Sequence, residues 1–217
     1  RPLALADAPV SLRERAYLEI KRRINRLDYR PGAYLNEAQI SRALKIGRTP
    51  VHQALDRLML EGLVQVIPRK GVMVQTVSLD QVLQILDARL VNEPYCAGLA
   101  AERANSGDIS RMQALLGSAG LLIRRRDRER LMNLDRAFHR LISDAAQNSV
   151  IGDILLMLHE RSLRFWFIAF ADDLQLRRID DEHRAILAAI KRRDRADTEA
   201  AMRAHIESSR VHVMRAL

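Results

Sequence analysis

Only one cysteine, Cys96, occurs in the 217 residues. A disulfide framework within the chain is thereby excluded, as is a zinc cluster built on thiolates, so any metal site must draw on histidine and carboxylate. No apolar run approaches the roughly 18 residues that a membrane-spanning helix needs. The opening segment, RPLALADAPVSLRER, has neither the apolar core nor the small-residue cleavage site of a secretory signal. The expectation is a cytoplasmic protein with no membrane partner. Internal repeats, low-complexity tracts and a His-Glu-x-x-His segment are also missing, which removes the commonest sequence sign of a metallohydrolase.

What is present suits a globular chain: 48% hydrophobic and 29% charged residues, long enough to bury one or two cores. The net charge of +9 is unevenly spread. Residues 1–77 carry 14 basic and 7 acidic side chains, whereas residues 78–217 carry 22 and 20. The excess sits in the first third, where an electrostatic footprint for phosphates would place it.

Ser11 with Glu14 three positions later predicts a capping box, followed by Leu12, Ala16, Ile20, Ile24 and Leu27 at helical spacing and a stop at Pro31-Gly32. Asn36 predicts the cap of a second, short helix with Ile40, Ala43 and Leu44 facing inward. A third helix follows the KIG turn, capped by Gly47 or Thr49, with Pro50 tolerated in its first turn and Val51, Leu55, Leu58 and Met59 on one face. Val64 and Val66, then Val72 and Val74, alternate around PRKG and predict a two-stranded hairpin with a basic tip. Three helices and such a hairpin make a winged helix-turn-helix, assigned to residues 1–77. From Ser78 the pattern is helical only, over about 79–105, 108–126, 127–147, 149–170, 172–192 and 195–216, with Asp194 or Asp197 capping the last helix. Wide apolar stripes such as Ile151, Ile154, Leu155 and Leu158 require these helices to bury against one another. The fold class is mainly α: a winged helix-turn-helix domain plus an all-α bundle over residues 78–217.

In a helix-turn-helix the N-terminal residues of the second helix meet base edges in the major groove. Arg48 stands where a guanidinium could fork onto guanine, Thr49 could reach a phosphate or base, and His52 lies one turn further along. Arg69, Lys70 and Gly71 form the hairpin tip, suited to phosphates or the minor groove. The stretch YRPGAYLNEAQISRALKIGRTPVHQALDRLMLEGLVQVIPRKGVMV resembles the winged-helix domain of the GntR superfamily of bacterial transcription regulators. The likeness rests on the PG turn, the L-x-E segment, the R-T-P-V core, the EGL and the basic-Gly hairpin. Gly47 replaces the usual Ser or Thr, and His52-Gln53 stands where the family usually has Arg-Glu, so a family phosphate or base contact is not carried over.

In the second half, Asp135 and His139 lie one above the other at i and i+4 beside a stripe of Leu134, Phe138, Leu141 and Ala145. His183 aligns with Ile186, Leu187 and Ile190, and His205 neighbours Ala201, Met202 and Ile206. Three imidazoles and a carboxylate would suit a divalent transition metal such as zinc or nickel, with positions left open to water or an effector, while His159 and His212 compete for the same role. Three segments, DARLVNEPYCAGLAAERA, LDRAFHRLISDAAQNSVI and DEHRAILAAIKRRDRADTEAAMRAHI, are similar to signatures of the FadR C-terminal (FCD) effector-binding domain. That resemblance implies Asp135, His139, His183 and His205 as metal ligands, leaves His159 and His212 without counterparts, and implies Arg89 as a cavity arginine for an anionic effector. An ion pair of Arg89 with Glu93 at i+4 is the structural alternative. Trp166, Phe165, Phe167 and Phe170 suit a core or dimer contact, and IRRRDRER a solvated helix surface or turn.

The reading is a transcriptional regulator, in the family's usual mode a repressor, acting as a homodimer on a palindromic double-stranded DNA operator. A small organic acid, a carboxylate bound at the metal and Arg89, would modulate it. Two rivals are a metal-dependent hydrolase with a basic accessory domain and an architectural nucleic-acid binder.

Overall fold

The computed structural model describes residues 10–76, 78–169 and 173–215, without the side chains of 163–169 and 215. Phe165, Trp166, Phe167 and Phe170 therefore lie outside the described side chains. The chain divides into two compact units, residues 1–76 and 77–217.

In the first unit, α1 (Leu12–Asn25) starts on Ser11, whose Oγ accepts from the Glu14 amide at 3.2 Å. The Glu14 carboxylate does not complete the predicted box; it takes Arg57 at 2.8 Å instead. The helix also ends before the Pro-Gly pair. Leu27 adopts a left-handed φ of 64°, and the Tyr29 amide reaches back to the Arg23 carbonyl at 3.1 Å, so Tyr29 packs on the core and Leu27 leaves the helix. A two-residue strand, β1 (Tyr34–Leu35), precedes α2 (Glu37–Leu44), which Asn36 caps through the Gln39 amide. Ile40 is buried there, but Ala43 is exposed. After a left-handed Lys45, α3 (Arg48–Leu60) begins at Gly47 and buries Val51, Ala54, Leu55 and Leu58; Met59 faces out.

The hairpin of β2 (Val64–Ile67) and β3 (Gly71–Val74) pairs antiparallel with Val64 opposite Val74. It is not alone, because β1 pairs with the other edge of β3 through Tyr34 and Met73, giving a sheet in the order β1-β3-β2. Two residues are too few to show a period-2 pattern, so this strand left no mark in the sequence.

A buried ionic knot fixes α1 on α3. Lys21 Nζ donates to Glu61 Oε2 at 2.8 Å and to the Tyr17 hydroxyl at 2.7 Å, and that hydroxyl donates to Glu61 Oε1 at 2.7 Å. The Arg57 guanidinium lies 3.6 Å from the centre of the Tyr17 ring.

The second unit contains α4 (Leu79–Arg103), α5 (Ser106–Gly117), α6 (Ala119–Arg124), α7 (Arg128–Ala145), α8 (Ser149–Ala169), α9 (Asp173–Arg192) and α10 (Arg195–Arg215). The single helix predicted over 108–126 is two, interrupted at Ser118, and the first begins earlier because Asn105 and Asp108 form a full capping box. Asp127 caps α7 after a left-handed Arg126, which makes the arginine-rich run a turn. Of the two candidates for the last cap, Asp194 holds the Asp197 amide at 2.9 Å. On α8, Leu155 and Leu158 are buried whereas Ile154 is exposed.

Here α4 is the central rod, touching α7, α8, α9 and α10. Gly98 lets α10 approach closely: a Cβ there would fall 2.4 Å from Glu199 Oε1. The core of Leu86, Met112, Leu116, Phe138, Ile142, Ile186, Ile190 and Met202 is almost wholly aliphatic.

Removing Glu61 takes the facing carboxylate from a lysine whose side chain is only 9% exposed. Because Glu61 itself is partly solvated, Glu61→Ala is expected to cost about 1–3 kcal/mol, below the 3–5 kcal/mol of a fully buried broken pair. Urea titration of the first unit's unfolding transition checks this, and an unchanged midpoint would exclude the knot as a stabilising contact.

Candidate functional site

The first unit presents its basic groups at the start of α3 and at the hairpin tip. Gly47 supplies no side-chain cap, so the first amides of α3 stay open to an anion. Arg48, Thr49 and His52 are all exposed on this first stretch of helix. Arg69 and Lys70 are exposed at the tip, and the left-handed φ values of Arg69, 64°, and Gly71, 101°, make the tight reversal that carries them. His52 has acidic company that the sequence pattern did not reveal. Its Nδ1 lies 2.9 Å from Glu37 Oε1 on α2, and its Nε2 lies 3.7 Å from Asp56 Oδ2 on α3. The bond to Glu37, and then the charges of Asp56 and Glu37, raise the pKa of this imidazole and favour its cationic form.

In the second unit, α7, α9 and α10 bring Asp135, His139, His183 and His205 together, with their potential ligand atoms all within 4.8 Å of one another. His183 Nε2 is 3.3 Å from Asp135 Oδ1, and His139 Nε2 is 3.9 Å from the same oxygen. The three histidines are buried, and Nε2 of both His139 and His183 lacks a hydrogen-bond partner among the described residues. His205 is oriented from behind: its Nδ1 lies 2.9 Å from Glu182 Oε2, which leaves Nε2 available for the cluster.

Buried donors without partners are costly, and a cation at their common centre would satisfy them. Burial pushes His139 and His205 down to about 4 against the pull of the nearby Glu93 and Glu182 carboxylates, so both rings are neutral near neutral pH. For Asp135 burial acts upward, but His183, 3.3 Å away, and the neighbouring imidazoles of His139 and His159 outweigh it and hold the carboxyl low. Neutral imidazoles and an ionised carboxylate are the protonation states that ligate a metal. The donor set therefore fits a divalent transition metal.

A cavity of about 50 Å³ opens onto Asp135, His183 and His205 and is walled by Leu131, Leu134, Leu176 and Ile179, with Arg89 and Arg128 on its lining. By that measure a water needs roughly 10–15 Å³, so several waters or a small ligand fit. Arg89 answers both sequence readings at once: it forms a buried ion pair with Glu93 and also lines the cavity. His212 belongs to neither histidine group found among the described residues, whereas His159, which has no counterpart in the expected ligand set, packs beside His139 with ring centres 4.5 Å apart. Glu182 escaped the sequence reading because a carboxylate next to His183 looks like an ordinary helix-surface charge, and Glu93 entered it only as a partner for Arg89, not as a neighbour of His139 and His159.

The model of the gntR family of bacterial regulatory proteins matches residues 12–74, and that of the FCD domain matches residues 84–208. The chain belongs to the GntR family and carries an FCD domain. Among its relatives, the HTH-type transcriptional regulator LutR of Bacillus subtilis is 28% identical over 202 residues, which span 82% of this chain and 90% of LutR. The HTH-type transcriptional repressor RspR of Escherichia coli is 26% identical over 177 residues, spanning 82% of this chain and 78% of RspR. In fold, E. coli McbR/YncC superposes with a TM-score of 0.83 at 23% identity, covering 95% of this chain and 98% of that one. A GntR regulator from Rhodococcus sp. RHA1 gives 0.80 at 19% identity, covering 94% and 98%. This GntR/FCD protein is thus a DNA-binding transcriptional regulator, and its relatives are regulators rather than enzymes, which sets aside the hydrolase rival. No helix among the described residues is long and apolar enough to cross a membrane.

The neutral histidines give the FCD domain a pH dependence of definite sign. Their folded pKa, about 4, lies below the unfolded value of roughly 6.5. Between those limits the unfolded chain binds more protons, so stability is complete above pH 6.5 and declines on acidification. In chelator, lowering the pH from 7 to 5 is expected to remove up to about 2 kcal/mol per imidazole. Thermal melts across that range check it, and a melting temperature that rises towards pH 5 would contradict it.

Proposed function

We propose that this regulator binds a palindromic operator as a homodimer, in the cytoplasm and as a repressor, and that a small carboxylate held in a metal-containing FCD pocket modulates its affinity for DNA. The observation that carries the effector reading is the joint placement of Arg89 and the Asp135-His139-His183-His205 group on or beside one cavity. Asp135, His139, His183 and His205 would hold zinc or nickel, and the ion would supply a positive centre with open coordination positions facing the cavity. Arg89 would meet the acid with a planar guanidinium while Glu93 keeps it in place.

At the DNA end, Arg48 would read a guanine edge, Thr49 and His52 would contact base or phosphate, and Arg69, Lys70 and Gly71 would lie along the backbone or minor groove. One winged helix buries little surface, so two related by a two-fold axis raise affinity and specificity together. An acid that favours one packing of the FCD helices would shift the pair of DNA heads towards or away from the operator spacing, a coupling of about 1–3 kcal/mol in typical cases. The name of the relative RspR, a transcriptional repressor, favours repression.

Arg48→Ala is expected to weaken binding to a duplex selected from a randomised library by about ten- to a hundredfold, the equivalent of 1–3 kcal/mol, with a smaller loss on random duplex at the same salt. Equal affinity of parent and variant for the selected duplex would exclude the Arg48 contact. His52→Arg restores a permanent cation at that position, so it should tighten binding and flatten any weakening seen as pH rises through the imidazole range. A separate check addresses the pocket. Asp135→Ala should lose tightly held zinc or nickel on dialysis while its binding to the selected duplex survives, and retention of the full metal content would remove Asp135 from the ligand set.

A further inference from the structure

The pocket just described uses one face of His139, and the opposite face has partners of its own. While Nε2 looks towards Asp135, Nδ1 lies 2.8 Å from Glu93 Oε2. His159, reaching in from α8, places Nε2 3.1 Å from Glu93 Oε1. All three side chains are almost completely buried, and the potential ligand atoms of Glu93, His139 and His159 lie within 4.8 Å of one another.

These contacts have the length of hydrogen bonds without their alignment. Among the described residues, Glu93 Oε2 and His159 Nε2 both lack a hydrogen-bond partner. Buried polar atoms are rarely left in that condition. Donors that converge on a common centre sit in this way. Ligands about 2.0–2.1 Å from a tetrahedral zinc lie about 3.3 Å from each other, so the 2.8 Å between His139 Nδ1 and Glu93 Oε2 needs only a few tenths of an ångström of expansion, and His159 Nε2 is within reach of the same centre. There is also a way in. A cavity of about 420 Å³, lined by residues of α7 and α8 that include Arg136, Arg140, Ser143 and Ser149, reaches His139 and His159.

We propose that Glu93, His139 and His159 form a second divalent-metal site, joined to the Asp135 site through the ring of His139 and open to solvent on the α7–α8 side. It rests on the reading of the first site only in sharing His139. Three protein ligands leave a fourth position for water or a ligand entering from the cavity, the arrangement of an exchangeable rather than a closed structural site. Arg89 keeps Oε1 of Glu93, and Oε2, the unpartnered oxygen, takes the ion. For both ions to use His139, the proton on Nδ1 must leave to solvent, so that each ring nitrogen offers a lone pair. That loss and the neighbouring guanidinium make the second ion the weaker one.

The full-length protein, stripped with chelator and dialysed against rising free zinc, is analysed for metal per protomer. Two equivalents are expected, the second at least tenfold weaker. His159→Ala is expected to stop at one, with the tight equivalent kept. Copper(II) loading of the unmutated protein gives a readout that needs no variant: two ions joined by one imidazole ring show an exchange-coupled electron paramagnetic resonance spectrum, and a single ion does not. Saturation at one equivalent with an uncoupled copper signal, or two equivalents persisting in His159→Ala, would overturn the second site. In the former case, loss of that single equivalent in Asp135→Ala would leave the proposed effector pocket standing. Binding of no metal at all would remove both.

Discussion

Uncompensated polarity in an aliphatic interior is the constraint on which the FCD domain is organised. His139, His159, His183 and His205 meet Glu93, Asp135 and Glu182 where α4, α7, α8, α9 and α10 converge, amid leucine, isoleucine and methionine. Burial keeps the imidazoles of His139 and His205 neutral near neutral pH, and a buried ring nitrogen without a partner is costly. Several of these nitrogens and oxygens have none among the described residues. The same burial that makes the cluster costly makes it a site, because the neutral His139 and His205 rings beside the ionised Asp135 can take a first cation between them. Arg89 extends this logic. Its charge is balanced by Glu93 and yet it lines the cavity, so an anion entering there meets a guanidinium already held in position.

The first unit solves a different problem with different means. A small α/β head has little core to spare, and it fixes α1 on α3 with the Lys21-Glu61-Tyr17 knot in addition to Ile20, Ile24, Leu55 and Leu58. That anchoring positions the start of α3, where an uncapped turn and three exposed polar side chains face outward. Gly47 at the cap and His52 further along distinguish this reading head from the family's usual pattern. The flanking Glu37 and Asp56 partly restore to His52 the positive charge that an arginine would carry permanently.

Much of this was legible along the chain. The period of the apolar residues separates an α/β head from a helical bundle, and the caps at Ser11, Asn36 and Asp194 stand where side-chain chemistry demands them. The misses share a cause. Each is too short to disturb a period: α1 ends where Leu27 turns left-handed, the break between α5 and α6 is the single residue Ser118, and strand β1 has two residues. Outward Ala43, Met59 and Ile154 show the same limit, since one residue's angle on a helix is set by what packs against it.

Residue types and spacings alone determined that the protein is mainly α, that its positive charge gathers in a winged head, and that histidines and an aspartate lie on inward faces of three helices. Periodicity and charge are local properties, readable without coordinates. Only the tertiary structure decided that His159 joins His139, that Glu93 stands between Arg89 and two imidazoles, and that Glu182 orients His205. The rotation of each helix about its own axis, which the packing of the whole bundle settles, determines which side chains meet at its centre.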